Sequence, residues 1–452
     1  PWKSYFAAVL LLPAFVLYKC SWCNCVYGWL LVYPLLALLI ALPLLAVSLV
    51  THSWILADKG PAPNQQKYFK FRDTTLAAKY AGKKMPLEEL YEAYFAERLD
   101  FNGDLLTALN HRYEFAFPVL QWTHIKFFLL KLIPEAIVHS RSQDVEQVRD
   151  HYDRGDDFYE AFLGKTMVYT SGMFIDPEND DLETSQLRKI DIVCNKIQLA
   201  RGEKHLDIGC GWGTFISRAA KEYGSDSTGV TLGRNQTEWA NRICKQVQVV
   251  SVLFAHVIVE QAGVDKRARA LCMDYRDIPK QKFDKITCLE MAEHVGVRLF
   301  GKFLLQVSDL LEDNGIFYLQ IAGLRRPWQF EDFNWGLFMG KYIFPGADAS
   351  CPLGWVVNQL EGAGFEIHTV ETIGVHYSAT IKRWYDNWLK NKDTIVKKYG
   401  VRWYRLWEWF LAWSVISPEQ VGSASCYQIV CHKNLSKYDR KKFMDERTRF
   451  KV

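Results

Sequence analysis

The chain has 452 residues and a formal charge of only +4, from 55 Lys and Arg against 51 Asp and Glu, which argues against a strongly basic nucleic-acid binder. Hydrophobic residues at 49% and charged residues at 23% exclude a disordered or fibrous chain. Eleven cysteines without regular spacing exclude a disulfide framework and fit a reducing compartment.

In chain order, the first features are apolar. Tyr5–Tyr18 carries no charge, and Val26–Val50 has Ser48 as its one clearly polar side chain. A helix over the second run would span about 38 Å, enough for a ~30 Å hydrocarbon core. The pair predicts a transmembrane helical hairpin over residues 1–57. Lys59, Lys67, Lys70, Arg72, Lys79, Lys83 and Lys84 follow it, so the positive-inside rule places the long C-terminal part in the cytosol. The loop residues Cys20, Cys23 and Cys25 lack a fourth ligand in register, and no metal site is predicted.

Residues 58–145 read as a polar linker and then a helical segment. Within it Phe115–Val138 is apolar around Lys126 and Lys131, and suits a membrane-surface or a buried helix. From residue 146 to 435 short apolar runs alternate with amphipathic ones, which predicts βαβ units and a parallel sheet. Lys204–Ile208, Ser227–Thr231, Lys285–Leu289 and Gly315–Ile321 read as strands. Trp384, Trp388, Trp403, Trp407, Trp409 and Trp413 recur at near-helical spacings, a pattern of core more than of a substrate wall. Residues 436–452 form a basic tail.

Leu206–Gly213 (LDIGCGWG) is the most informative stretch. A strand runs into a tight turn and then a helix, with Gly209, Gly211 and Gly213 allowing close backbone approach to a ligand. Asp207 precedes the glycines, and a carboxylate there can accept a hydrogen bond from the amino group of S-adenosylmethionine. Thr231 ends the next strand with no acid after it, so Gln236 is the residue placed to hydrogen-bond a ribose. Asp274 and Tyr275 follow the third strand region and are placed to meet the adenine.

These pieces resemble the cyclopropane-fatty-acid-synthase superfamily of S-adenosylmethionine-dependent methyltransferases. The resemblance rests on His151–Asp156, Tyr169-Thr-Ser171, the LDIGCGWG motif, Gly229–Gln236, Asp274–Asp277, Glu293-His-Val-Gly296, Ile343–Gly346, His376-Tyr377 and the aromatic stretch Tyr399–Trp413, in family order. The predicted hairpin and Phe333–Tyr342 bring it closest to the fungal sphingolipid C9-methyltransferases. The resemblance implies a Rossmann-like α/β fold with a mostly parallel seven-stranded sheet and helices on both faces. It implies that Tyr169 and Thr170 join the cofactor site, and that Glu293, Gln320, His376 and Tyr377 carry the chemistry. It further implies methylation of C9 in the Δ8-unsaturated sphingoid base of ceramide or glucosylceramide, drawn from a lipid bilayer, by an integral protein of the endoplasmic reticulum.

Family members hold a bicarbonate ion near the reacting carbons through a carboxylate, a His, a Tyr and backbone at a Cys. Glu293 and Tyr377 match two of these. At the others this chain has Gln320 for the His and Ser171 for the Cys, and Ser414 replaces a later Cys, so bicarbonate is doubtful and Glu293 is itself a candidate base. Two rival readings are a cyclopropane or methyl-branched acyl synthase acting on phospholipid, and a cofactor-binding membrane scaffold without catalysis.

Overall fold

A computed structural model describes residues 14–15, 33–132, 154–255, 267–347 and 349–443. Most of the first apolar run, the loop with Cys20, Cys23 and Cys25, and the tail beyond 443 lie outside the described residues.

Helix α1 (Tyr33–Leu56) contains Pro43. Among the described residues no helix is long and apolar enough to cross a membrane. This overturns the expected integral membrane protein, and the reticulum and cytosolic placements fall with it; the expected transmembrane hairpin is left unsupported, most of its first run lying outside the described residues. The physical reason lies at the end of α1, where Thr51, His52 and Ser53 interrupt the apolar run and the last turns belong to the folded body. Ser53 is fully buried. Its Oγ accepts a hydrogen bond from the Leu120 N–H at 3.1 Å, and Trp54 Nε1 donates to the Leu120 carbonyl at 3.0 Å.

Four short strands follow: β1 (Phe69–Phe71), β2 (Met85–Pro86), β3 (Leu99–Phe101) and β4 (Ala116–Phe117). β1 pairs with β3 antiparallel and β2 with β4 parallel. Helix α2 (Leu87–Phe95) lies between the strands of the second pair. The polar stretch read as linker carries Tyr68, Phe69, Leu76 and Tyr80 into the core, because its aromatic residues outweigh its charges once a partner surface is present. Phe115 and Phe117 are also buried. Pro118 favours an extended backbone before it, so the helical part of that apolar stretch begins only at α3 (Trp122–Phe127).

The main unit contains α4 (Asp156–Leu163), α5 (Leu182–Lys196), β5 (Lys204–Ile208), α6 (Thr214–Arg218), β6 (Asp226–Thr231), α7 (Arg234–Ala255), β7 (Ala268–Cys272), β8 (Phe283–Leu289), α8 (Phe300–Leu310), β9 (Leu311–Leu324), α9 (Phe330–Phe338), α10 (Leu353–Gly362), β10 (Phe365–Thr372), α11 (Gly374–Lys390), α12 (Val401–Ile416) and β11 (Ala424–Lys433). Its seven strands lie in the order β10-β11-β9-β8-β5-β6-β7. Only β11 runs against the rest, pairing antiparallel with both β9 and β10.

Alternation along β9 shows how the layers form. Phe317, Leu319 and Ile321 face a core shared with α8 and α10. Ile316 and Tyr318 face one shared with α5 and α6. A third core joins the 62–116 region to α4, α11 and α12. Trp384, Trp388, Trp407, Trp409 and Trp413 are buried in it, while Trp403 is exposed and stacks beneath Arg154 at 4.0 Å.

Candidate active site

The strand order reverses direction on either side of β5. In an open α/β sheet this opens a crevice beyond the carboxyl ends of the strands. Asp207 is the last residue but one of β5, and after Ile208 the chain turns through Gly209 (φ 87°) and Gly213 (φ 83°) into α6. A Cβ on Gly213 would lie 2.5 Å from the Ala240 Cβ, so only glycine lets α6 and α7 approach this closely.

The crevice is lined by Tyr169, Thr170, Asp207, Gly209, Gly211, Gly213, Thr231, Gln236 and Tyr275. These are nine of the ten residues expected to hold the cofactor. The tenth, Asp274, does not line it and instead accepts hydrogen bonds from Arg276, through the backbone N–H at 2.8 Å and through Nη2 at 2.7 Å. Gln236 accepts a hydrogen bond from Thr231 Oγ1 at 2.7 Å. Asp207 is buried, and burial pushes its carboxyl up to about 6 against the opposing bond from Thr287 Oγ1 at 2.7 Å. Lys189, on α5, also lines the crevice and donates to Thr170 Oγ1 at 2.7 Å. Burial lowers it to about 8, opposed by the nearby charges of Glu290 and Asp207.

At one wall of the crevice stands one carboxylate, with a second close to it. Glu290 follows the end of β8 with φ 56°. Its Oε1 accepts the Ser171 N–H at 3.2 Å, Gln320 Nε2 at 2.5 Å and Cys426 Sγ at 3.6 Å, and its Oε2 accepts Tyr377 Oη at 2.6 Å. Gln320 is held in this orientation because its own Oε1 accepts from Gln428 Nε2 at 3.1 Å. Glu293 is buried behind it, with Oε1 accepting the Ala322 N–H at 2.6 Å and Oε2 lacking a partner among the described residues. Burial and the charge of Glu290 push Glu293 up to about 8.

Tyr377 and Gln320 thus meet at one carboxylate, but that carboxylate is Glu290 rather than Glu293. Glu293 and Gln320 are also absent from the crevice lining. His376 does not join them. Both it and Tyr377 lie in the first turns of α11. A step of one residue turns about 100° around a helix, so His376 faces a separate cavity with Met173 and Ile373 and accepts the Phe174 N–H at 3.2 Å.

Glu290 and Lys189 escaped the sequence reading. The signal for Glu290 was present: an acid closing the apolar strand ITCL, three residues before Glu293. Lys189 gave none, since one Lys in an amphipathic helix looks like its solvated face. Around the carboxylates Tyr169 stands 6.2 Å from Phe344 and 5.4 Å from Trp384, and Tyr377 stands 6.0 Å from Trp384, between ring centroids. Among the described residues no group of His, Cys, Asp and Glu could hold a metal ion.

The residues present do not fit a bicarbonate ion. The Ser171 N–H, the Gln320 amide and the Tyr377 hydroxyl, at the positions expected to hold one, all donate to Glu290.

Residues 139–429 match the model of the mycolic acid cyclopropane synthetase family. The chain is 51% identical over 430 residues to the sphingolipid C9-methyltransferase of Komagataella phaffii, covering 92% of this chain and 85% of that protein. It is 45% identical over 452 residues to the sphingolipid C9-methyltransferase of Candida albicans, covering 96% and 84%. Among solved structures, the mycolic acid cyclopropane synthase CmaA1 complexed with SAH and CTAB superposes with a TM-score of 0.56 at 25% identity, covering 64% of this chain and 98% of that one.

Proposed function

We propose, from the premise that this chain belongs to the mycolic acid cyclopropane synthetase family, that it methylates C9 of the Δ8-unsaturated sphingoid base of a ceramide or glucosylceramide. The chain is a methyltransferase, and its methyl donor is S-adenosylmethionine. Its relatives of 45–53% identity, named sphingolipid C9-methyltransferases, support a sphingolipid substrate over phospholipid. The observation that carries the reading to this site is the half-buried Glu290 carboxylate, held by four donors at the wall of the glycine-rich crevice.

When bound, S-adenosylmethionine supplies a methyl group on a positively charged sulfur. Asp207, the three glycines, Thr231, Gln236 and Tyr275 would hold it in the crevice. The chain's other contribution is to protect and neutralise a cation. Methylation of an alkene leaves positive charge on the neighbouring carbon, and water would quench it. The rings of Tyr169, Phe344, Tyr377 and Trp384 exclude water, and aromatic faces stabilise positive charge. The Glu290 carboxylate places a fixed negative charge beside them. Presentation of the lipid at a bilayer surface is supported by exposed Trp122, Phe128 and Leu130, with Lys126 and Lys131 exposed among them.

The test incubates the purified protein with methyl-labelled S-adenosylmethionine and equal amounts of Δ8-unsaturated glucosylceramide, the matching ceramide and unsaturated phospholipid. The expected outcome is label in a sphingoid base whose double bond still takes up hydrogen, and the preferred head group is read from the same spectra. Label in phospholipid that resists hydrogenation would mean ring formation and overturn the reading.

A further inference from the structure

Glu290 sits in a conformation that favours glycine, with φ 56°. Keeping a long acidic side chain there makes sense only if the carboxylate is needed where it points. It points into the crevice wall, and four donors converge on it: the Ser171 N–H, Gln320 Nε2, Cys426 Sγ and Tyr377 Oη. Backbone, amide and phenol donors arranged around one small anion make an anion-binding cup. Here the anion is covalently attached.

We propose that the Glu290 carboxylate is a tethered anion that takes the place of a bound bicarbonate, stabilising the cation formed by methyl transfer and accepting the proton that ends the reaction. This rests on the methyl-transfer reading above. Glu293 is less suited to the task. It does not line the crevice, and the Ala322 N–H holds one of its oxygens. Lys189 supplies the counter-charge, buried near both Glu290 and Asp207.

The step balances as follows. The donor's methyl–sulfur bond breaks as the alkene π pair forms the new bond from C9 to the methyl carbon, leaving S-adenosylhomocysteine and a cation at C8. Glu290 Oε2 accepts the proton from C9, and the C–H electron pair re-forms the C8–C9 double bond. The products are the 9-methyl alkene and a neutral Glu290, which later releases its proton to solvent. Tyr377 donates to Oε2 and is a positioning residue for it.

The test compares the full chain with Glu290→Gly, the residue that the backbone accepts most readily. Wild-type activity on the Δ8-unsaturated sphingolipid is expected to be the same in carbonate-free and bicarbonate-supplemented buffer. Glu290→Gly is expected to lose about 100-fold or more and to recover part of that on addition of bicarbonate or formate. Carbon-13 bicarbonate, followed by magnetic resonance in the presence of S-adenosylhomocysteine, is expected to bind the glycine variant and not the wild type. A wild type that needs or binds bicarbonate, or a glycine variant fully active without it, would overturn the proposal. If the variant does not melt cooperatively, the two wild-type measurements decide alone. If no lipid is methylated, the substrate reading fails separately, and ion binding by the wild type still decides this one.

Discussion

Glu290 and Glu293 stand three residues apart, and loss of water raises both, but their compensation differs. Glu293 is buried and Glu290 half-buried, and loss of water disfavours charge on both. Glu290 is compensated by Tyr377, Gln320, Lys189 and the Ser171 N–H, whereas Glu293 has mainly backbone N–H compensation and feels the charge of Glu290. Held up to about 8, Glu293 carries its proton at neutral pH. Glu293→Gln imitates that neutral form, so it is expected to keep activity within about threefold of wild type at pH 7, where loss of a true acid–base group costs ~100-fold or more. Stability gives a second readout. Between the ordinary carboxyl value of 4.5 and about 8 the folded chain holds a proton that the unfolded chain has released. Stability from this group is therefore full below 4.5 and is lost as pH rises towards 8. Thermal melting across that interval should fall less steeply for Glu293→Gln than for the wild type. A variant as steep as the wild type, or an inactive one, would place the working negative charge on Glu293.

Among the elements, the helices show where periodicity is enough and where it is not. The spacing of Trp384 through Trp413 indicated helices with a buried face, and α11 and α12 bury five of those six indoles. Trp407 is packed edge-on against Phe158 at 4.9 Å and Phe410 at 5.2 Å. Trp407→Ala should cost about 3–5 kcal/mol in denaturant unfolding, since a cavity adds to the lost burial; a cost below about 1 kcal/mol would show that the region is plastic. Helix α1 illustrates the opposite. Hydropathy alone cannot tell an apolar helix that crosses a bilayer from one whose end is fastened to protein. The bonds from Leu120 and Trp54, made across more than sixty residues, settle how α1 ends. The strand register is also long-range. Gln320 faces Gln428 in the β9–β11 pair, and this register fixes which way the Gln320 amide points.

At the scale of the molecule, the core that backs the active-site wall is assembled from both ends of the chain. Tyr91 packs against Trp409 and Trp413, Tyr94 Oη donates to Glu408 at 2.7 Å, and buried Arg112 pairs with Glu331 at 2.7 Å. A chain beginning at residue 145 would retain the seven-stranded sheet but uncover these indoles and strip Glu408 of the Tyr94 hydroxyl and Glu331 of the Arg112 charge; removing one member of such a pair costs more than the pair contributes. It is expected to show red-shifted tryptophan emission and no cooperative melt. A sharp melting transition close to that of the full chain would show that the 58–132 region is dispensable.

The sequence by itself determined the class of fold, the donor and the class of chemistry. Those depend on local patterns: alternating strand and helix periods, an acid before three glycines in a turn, and motifs in fixed order. Nine of the ten residues expected to hold the cofactor line one crevice, because strand ends in a parallel sheet meet at one edge. Only the tertiary structure decided that Glu290 is the carboxylate at which Ser171, Gln320 and Tyr377 converge, that His376 faces away, that Asp274 turns to Arg276, and that α1 ends against Leu120. Apart from the local Asp274–Arg276 pairing, each depends on a contact between residues far apart in the chain or on the rotation of one side chain about its helix. Burial then decides charge, and no local pattern encodes how much water a buried carboxyl has lost.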